Sequence, residues 1–231
     1  MSATIDHTSR RARAAIFERL RAAGPAETPA VPDVAAHFRA RARSTDPTGH
    51  VATFAERARG WRAEVLETGP DDWADAIADV VRAKGLRRVL AGRDTALSAG
   101  LAARLDATQL AWYDTPIEAC REALFDGADA GITTTRGGIV ETGTLIVWPD
   151  RHEPRTLSLV PPVHIAVLRA STLFPDLFAA MNVQGWAGSL PTNALLVTGP
   201  SKTADIQRLL VYGAHGPKEL VIVLIRDEVS P

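Results

Sequence analysis

The sequence predicts an α/β fold: a parallel sheet with helices on its faces, preceded by a helical N-terminal extension. Two observations carry this. From Asp71 onward, short apolar runs alternate with amphipathic stretches in a strand–helix–strand beat. The C-terminal part then reads as a strand over 194–198, a helix over 202–212 and a strand over 219–225, a βαβ unit whose crossover helix implies parallel pairing. At 231 residues, 46% hydrophobic and 23% charged, the chain suits one well-buried domain with a short appendage, and neither disorder nor a fibrous repeat fits. The division drawn from these patterns is a helical extension over 1–68 and an α/β domain over 69–231.

Taken in order, residues 9–66 are rich in Ala, Arg and Glu and are broken by Pro25, Pro29, Pro32 and Pro47. They read as helices joined by stiff loops, with no strand signal. Arg39, Arg41 and Arg43 form the densest basic run, which suits a solvated helix surface or a partner-binding arm. An amphipathic helix is expected over 71–84, with an acidic first turn and a stop at Gly85. A strand over 88–91, a helix over 94–104 and a strand over 109–113 follow. Thr115-Pro116-Ile117-Glu118 is a capping box with proline at the first helical position, predicting a helix over 117–125 closed by Gly127. Strands are expected over 130–133 and 144–148, on either side of Gly137-Gly138, and a polar turn over 150–154. A strand over 163–168, a helix over 171–181 with Pro175 in its first turns, and a glycine-bearing loop over 182–192 lead into the final unit.

Composition excludes several classes of function. Lys+Arg 26 against Asp+Glu 27 leaves a net charge of -1, so no overall field draws in nucleic acid or an anionic membrane. The single cysteine, Cys120, cannot close a disulfide within the chain, nor hold zinc or an iron–sulfur cluster by itself; within a predicted helix it reads as a packed side chain. The histidines show no HxxxH or HxH spacing, and no metal site is expected. A secretory start and a run of about 20 apolar residues are both missing, so a cytoplasmic protein is expected. The basic residues are nearly all arginine: Lys84, Lys202 and Lys218 are the only lysines.

Four segments carry candidate chemistry. Thr198-Gly199-Pro200-Ser201-Lys202-Thr203-Ala204-Asp205 stands where a strand would turn into a helix, with a glycine for close approach, hydroxyl donors and a lysine at the positive helix end. It is neither a Walker loop nor a GxGxxG turn. An anion cradle and an ordinary N-cap both fit. In Thr133-Thr134-Thr135-Arg136-Gly137-Gly138-Ile139-Val140-Glu141-Thr142-Gly143-Thr144 the acidic residue is flanked by apolar Val140 and a glycine turn, which suggests a carboxyl that approaches a ligand and whose pKa burial would raise. Glu141 could then act as general base or nucleophile, or pair structurally with Arg136 or Arg155. His164 opens an apolar strand, as a core histidine or a working one. His215, within Gly213-Ala214-His215-Gly216-Pro217-Lys218, occupies an exposed, constrained turn typical of a working residue. No Gly-x-Ser-x-Gly elbow supports a serine hydrolase. Ligands of open α/β sheets gather beyond the carboxyl ends of the strands, which is where these loops are expected.

Together the segments resemble the LUD domain family of lactate-utilisation proteins, in particular its short C-type members. The resemblance rests on Gly131-Ile132-Thr133, Glu141-Thr142-Gly143-Thr144-Leu145, Ser158-Leu159-Val160-Pro161-Pro162-Val163-His164-Ile165, Gly199-Pro200-Ser201-Lys202-Thr203-Ala204-Asp205-Ile206 and Gly213-Ala214-His215-Gly216-Pro217-Lys218-Glu219-Leu220. Their order and spacing run from about residue 71 to 225. Gly137-Gly138 and Gln207 depart from the pattern.

The resemblance implies a Rossmann-like parallel sheet of the sugar-isomerase, CoA-transferase and folate cyclo-ligase type. It implies a subunit supporting oxidation of L-lactate to pyruvate together with an iron–sulfur oxidoreductase subunit and a ferredoxin-like subunit carrying the same domain. Iron–sulfur clusters are then expected on those partners and no cofactor on this chain alone. Ser201, Lys202 and Thr203, with Gly199, Thr142, Gly143, Arg136, His164 and Lys218, are expected to bind a small anionic ligand, with Glu141 and His215 handling protons or orienting it. A stand-alone enzyme acting on a phosphorylated or folate-like molecule and a non-catalytic assembly or regulatory subunit are the other readings, since this architecture hosts many chemistries.

Overall fold

The computed structural model describes residues 2–24, 30–41, 49–114, 121–122, 124–204 and 210–227. The chain divides into two compact units, Met1–Ala42 and Arg43–Pro231. The first contains helices α1 (Ser2–Ala22) and α2 (Val34–Arg41). Arg39 and Arg41 on α2 are exposed, Arg39 lying 3.8 Å from Asp33.

In the second unit, α3 (His50–Gly60) leads into β1 (Glu64–Thr68), followed by α4 (Trp73–Ala83), β2 (Val89–Gly92), α5 (Ser98–Arg104), β3 (Leu110–Tyr113) and β4 (Ala130–Thr134). Next come β5 (Gly137–Ile139), β6 (Thr144–Val147), α6 (Arg155–Leu159), β7 (Val163–Arg169), β8 (Leu173–Phe174) and α7 (Leu177–Val183). The last strands are β9 (Leu195–Val197), β10 (Lys202–Ala204), β11 (Leu210–Tyr212) and β12 (Glu219–Ile225). Among the described residues, six strands form one all-parallel sheet in the order β1-β12-β7-β4-β2-β3. A four-stranded sheet, β8-β5-β6-β9, lies apart from it, and β10 pairs antiparallel with β11.

The two central strands explain the layering. In β7 and β12 nearly every residue is apolar because both faces are covered, as parallel sheets require. Val163, Ile165, Val167, Val221, Val223 and Ile225 face Ile77, Val80 and Val81 of α4 and Leu101 of α5. The helical spacing of those α4 residues was legible in the sequence, as was its stop at Gly85, where φ is +62°. On the opposite face Ala166, Leu168, Leu220, Ile222 and Leu224 pack with Phe54, Ala55 and Ala58 of α3 and with Leu145 and Val147 of β6. The four-stranded sheet and α3 thus cover the face that carries the site described below.

Several sequence expectations are corrected. The stretch before Leu66 does contain a strand: β1 is an edge strand whose Glu64 and Glu67 point outward, and only pairing with β12 makes so short a segment extended. The expected helix over 202–212 is replaced by the β10–β11 pair at its two ends; residues 205–209 lie outside the described residues. Long-range bonds decide this, since Ser201 N–H donates to Pro217 (2.9 Å) and Gly213 N–H donates to Ser201 (2.8 Å). No βαβ unit therefore ends the chain among the described residues: β9 runs antiparallel to β6 in the second sheet, not beside β12. The helix expected over 171–181 starts only after Pro175, with Asp176 capping Ala179 N–H (2.7 Å), and the residues before it form a 3-10 turn and β8. The capping box at Thr115 to Glu118 and Cys120 fall outside the described residues.

Candidate functional site

The motif segments meet at the amino-terminal ends of β7 and β12, opposite to the carboxyl-end position that the general rule for open sheets predicts. A cavity of about 170 Å³ is lined by Ser158, His164, Thr198, Gly199, Ser201 and His215, with Leu159, Leu196 and Leu220 among the apolar walls. They come from four connections: Ser158 from α6, His164 from the start of β7, Thr198, Gly199 and Ser201 from the loop after β9, and His215 from the turn before β12.

Backbone packing builds the floor. His164 lies between Leu220 of β12 and Gly131 of β4 in the sheet register. A Cβ on Gly131 would collide with the carbonyl oxygen of Leu157, so glycine is what allows α6 to press against the sheet beside the imidazole. Ser158, on that helix, is buried and donates to the Arg155 carbonyl (3.0 Å). At the rim, a Cβ on Gly199, whose φ is +78°, would strike the Trp61 carbonyl. The loop carrying Ser201 is thereby held against the end of α3.

His164 is 1% exposed. Its Nε2 lies 2.9 Å from Thr133 Oγ1, and its Nδ1 is buried without a hydrogen-bond partner. Burial lowers its pKa from 6.5 to about 4, so at neutral pH the ring is uncharged. The sequence left a core role and a working role open; here a fully buried imidazole is also a wall of a cavity, with one ring nitrogen unsatisfied. Such a group can accept or donate a hydrogen bond to a bound ligand, according to its tautomer, without bringing charge to the floor. His215 is exposed at the mouth, as its turn predicted.

The Glu141 turn connects to this cavity indirectly. Thr142 Oγ1 lies 2.7 Å from Thr144 Oγ1, which lies 2.7 Å from Thr198 Oγ1 in the cavity wall. Gly143, with φ +66°, packs against Arg57 and Ala58 of α3, and Trp61 Nε1 donates to the Thr142 carbonyl (3.1 Å). Glu141 itself is exposed, which corrects the expectation of a buried carboxyl: the turn lies on the outer side of α3, where solvent reaches its side chain. Its backbone N–H donates to Pro175 (3.0 Å).

The remaining candidates divide. Lys202 extends from β10, not from a helix start, and its Nζ sits 4.4 Å from the centroid of Trp61, the same indole that holds the Thr142 carbonyl. Thr203 is the middle residue of β10, paired with Val211. Lys218 lines a neighbouring cleft. Arg136 does not join the cavity; its guanidinium stacks on Trp148 (4.9 Å), which meets Trp186 edge to face. Ser158, Thr198 and Thr133 stood within the candidate segments or recognised strings without a role of their own, whereas Trp61 ends a helix with nothing local to mark it. Among the described residues no three of His, Cys, Asp and Glu gather as metal ligands, and no helix is long and apolar enough to cross a membrane.

A polar cluster also closes the carboxyl ends of the sheet, where strand order reverses between β4 and β2. Glu153 accepts from Thr134 N–H at 3.0 Å and from the Thr134 hydroxyl, while the Asp150 carboxylate caps the turn at His152 and Glu153. Gly92 has no room for a Cβ against the His152 carbonyl. The loop over 150–154 thus lies against the carboxyl ends of β2 and β4.

Comparison with known proteins agrees with the quoted motifs. The model of the LUD domain matches residues 51–225. An uncharacterised protein of Neisseria meningitidis serogroup B is 34% identical over 183 residues, covering 77% of this chain and 78% of the relative. The lactate utilization protein C of Macrococcus caseolyticus is 30% identical over 169 residues, covering 71% of this chain and 73% of its own, and that of Halalkalibacterium halodurans is 29% identical over 183 residues, covering 77% and 79%. Among solved structures, a duf162 family protein from Deinococcus radiodurans matches the fold with a TM-score of 0.59 at 21% identity, over 79% of this chain and 99% of that one. Sequence motifs, family model and relatives agree: the chain belongs to the LUD domain family.

Proposed function

We propose that the protein serves lactate utilisation, as a cytoplasmic subunit supporting oxidation of L-lactate to pyruvate with an iron–sulfur oxidoreductase subunit and a ferredoxin-like LUD subunit. The observation that carries this reading is its similarity, over most of both chains, to proteins named lactate utilization protein C. A chain whose one cysteine is Cys120 leaves cluster binding to partners, which hold the electrons removed from lactate. Within the assembly this chain contributes the His164 cavity. Ser201 and Thr198 offer hydroxyl donors to a small anionic ligand, neutral His164 orients it from the floor, and His215 at the mouth exchanges protons with solvent. Glu141 sits next to Thr142, whose hydroxyl leads through Thr144 to Thr198, and has a positioning role there.

Deleting the gene in its host and restoring it tests the reading. Growth on L-lactate as sole carbon source should be lost and should return with the wild-type gene. Complementation should drop sharply with His164→Ala, provided that the variant accumulates to wild-type level. The tagged protein should recover cysteine-rich iron–sulfur proteins from lactate-grown cells. Undiminished growth of the deletion strain on L-lactate, or turnover by the isolated chain with a substrate unrelated to lactate, would overturn it.

A further inference from the structure

Beside the His164 cavity, and sharing Pro200 and Leu220 with it as a common wall, lies a cleft of about 320 Å³. We propose that this cleft is a binding site for a small polyanion, a molecule carrying two or more phosphate or carboxylate groups, whose far end enters the His164 cavity. The inference rests on the reading of that cavity as a ligand site and identifies the class of ligand that it takes.

Charge placement carries the argument. Arg62 and Lys218 line the cleft, and Lys202 stands beside it, opposite Tyr212 in the β10–β11 pair. None of these three cations has a carboxylate partner among the described residues. Arg62 lies over Tyr212 (4.7 Å) and Lys202 over Trp61 (4.4 Å), contacts that hold a cation in place without neutralising it. The carboxylates that also line the cleft, Glu64 and Glu219, are both engaged by Lys84, at 2.9 and 2.8 Å. All three lysines of an otherwise arginine-based chain thus lie around one cleft: Lys84 bridges its two acids and halves their charge, and Lys202 and Lys218, with Arg62, outweigh the single negative charge that remains.

The backbone is arranged to present these charges. Arg62 has φ +68°, a conformation unusual for a residue with a side chain and most often kept where function requires it. Gly213, at φ +73°, has no room for a Cβ because the stem of Lys218 crosses it, which explains the glycine at the start of the Gly-Ala-His-Gly-Pro-Lys turn. Lys218 N–H is anchored on the Pro162 carbonyl at 2.7 Å. The two adjoining cavities together reach the size usual for ligand pockets, roughly 300–1,000 Å³. A monoanion as small as lactate would leave most of that space, and two of the three cations, unused.

Isothermal titration of the full-length protein with pyrophosphate, citrate and L-lactate, at low and at physiological salt, tests the proposal. Pyrophosphate or citrate should bind at least about tenfold more tightly than L-lactate and weaken with salt, and the two probes distinguish phosphate from carboxylate ligands. Arg62→Gly removes the guanidinium while relieving the left-handed backbone, so it should fold at least as well as wild type and bind the polyanion about tenfold or more weakly. Lys218→Ala should act alike. No binding of either polyanion, or equal binding by wild type and both variants, would overturn the proposal. Loss of polyanion binding in Arg62→Gly with normal growth on L-lactate would break only the link to lactate utilisation; failure of the deletion strain to depend on the gene, with polyanion binding intact, would overturn the metabolic reading and leave the site.

Discussion

His164 makes folding stability depend on pH in a way that can be calculated. In the folded protein its pKa is lowered by burial from 6.5 to about 4. Between those values the unfolded chain binds a proton that the native state refuses, so stability rises with pH across that window and is lost as pH falls from 6.5 towards 4. At about 1.4 kcal/mol per pH unit, acidification from about pH 7 to about pH 4.5 removes about 2.5 kcal/mol through this one side chain. His164→Gln keeps a hydrogen-bonding group near Thr133 and carries no titrating proton. Urea unfolding of wild type and variant at the two pH values isolates the contribution. The variant is expected to be less stable at neutral pH, from imperfect packing, but the wild type should lose about 2.5 kcal/mol more than the variant on acidification. Equal losses would mean that the native imidazole takes up a proton as readily as the unfolded one, and the lowering of its pKa by burial would be refuted.

Three further outcomes follow from the packing. Gly131→Ala forces a methyl into the Leu157 carbonyl, and displacing α6 should cost about 2–3 kcal/mol in urea unfolding and reduce ligand binding in the His164 cavity. Glu153 has its pKa raised, chiefly by burial against the opposing pull of its Thr134 hydrogen bonds, so its contribution is greatest below the unfolded carboxyl pKa and falls as pH rises through the folded one. Glu153→Gln should therefore gain on wild type from about pH 4 to about pH 7, while Glu153→Ala, which strips Thr134 of its acceptor, should cost about 1–3 kcal/mol by thermal or chemical denaturation. Lys84→Met leaves Glu64 and Glu219 facing each other unneutralised; with side chains 45% and 55% exposed, the loss should be near 1 kcal/mol and shrink in high salt.

Legibility tracked how local the cause of each feature was. The amphipathic period of α4, the apolar runs of β7 and β12 and the break at Gly85 are written in neighbouring residues, and the α/β class followed from them. β1 was not legible because Val65 and Leu66 between glutamates carry too little apolar signal; its partner, β12, lies more than a hundred residues away. Residues 202–204 and 210–212 read as the ends of one helix by composition, and backbone bonds from Ser201 to residues 213 and 217 made them strands instead. The motif residues themselves were legible as chemistry: Ser201, His164 and His215 do converge on one cavity. Their position at the amino ends of the strands was not, and neither was the exposure of Glu141, whose apolar neighbours pack inward while its own side chain turns to solvent.

By itself the amino-acid sequence determined the class of fold, the family and the short strings of residues able to bind a ligand, because periodicity, turn chemistry and motif identity are properties of contiguous residues. Only the tertiary structure decided which of those strings share a cavity, that Arg62 lines the cleft beside it, and that His164 is neutral there. These depend on burial and on contacts between segments far apart in the chain, and neither desolvation of an imidazole nor the balance of Lys84 against two glutamates exists until the strands that carry them are side by side.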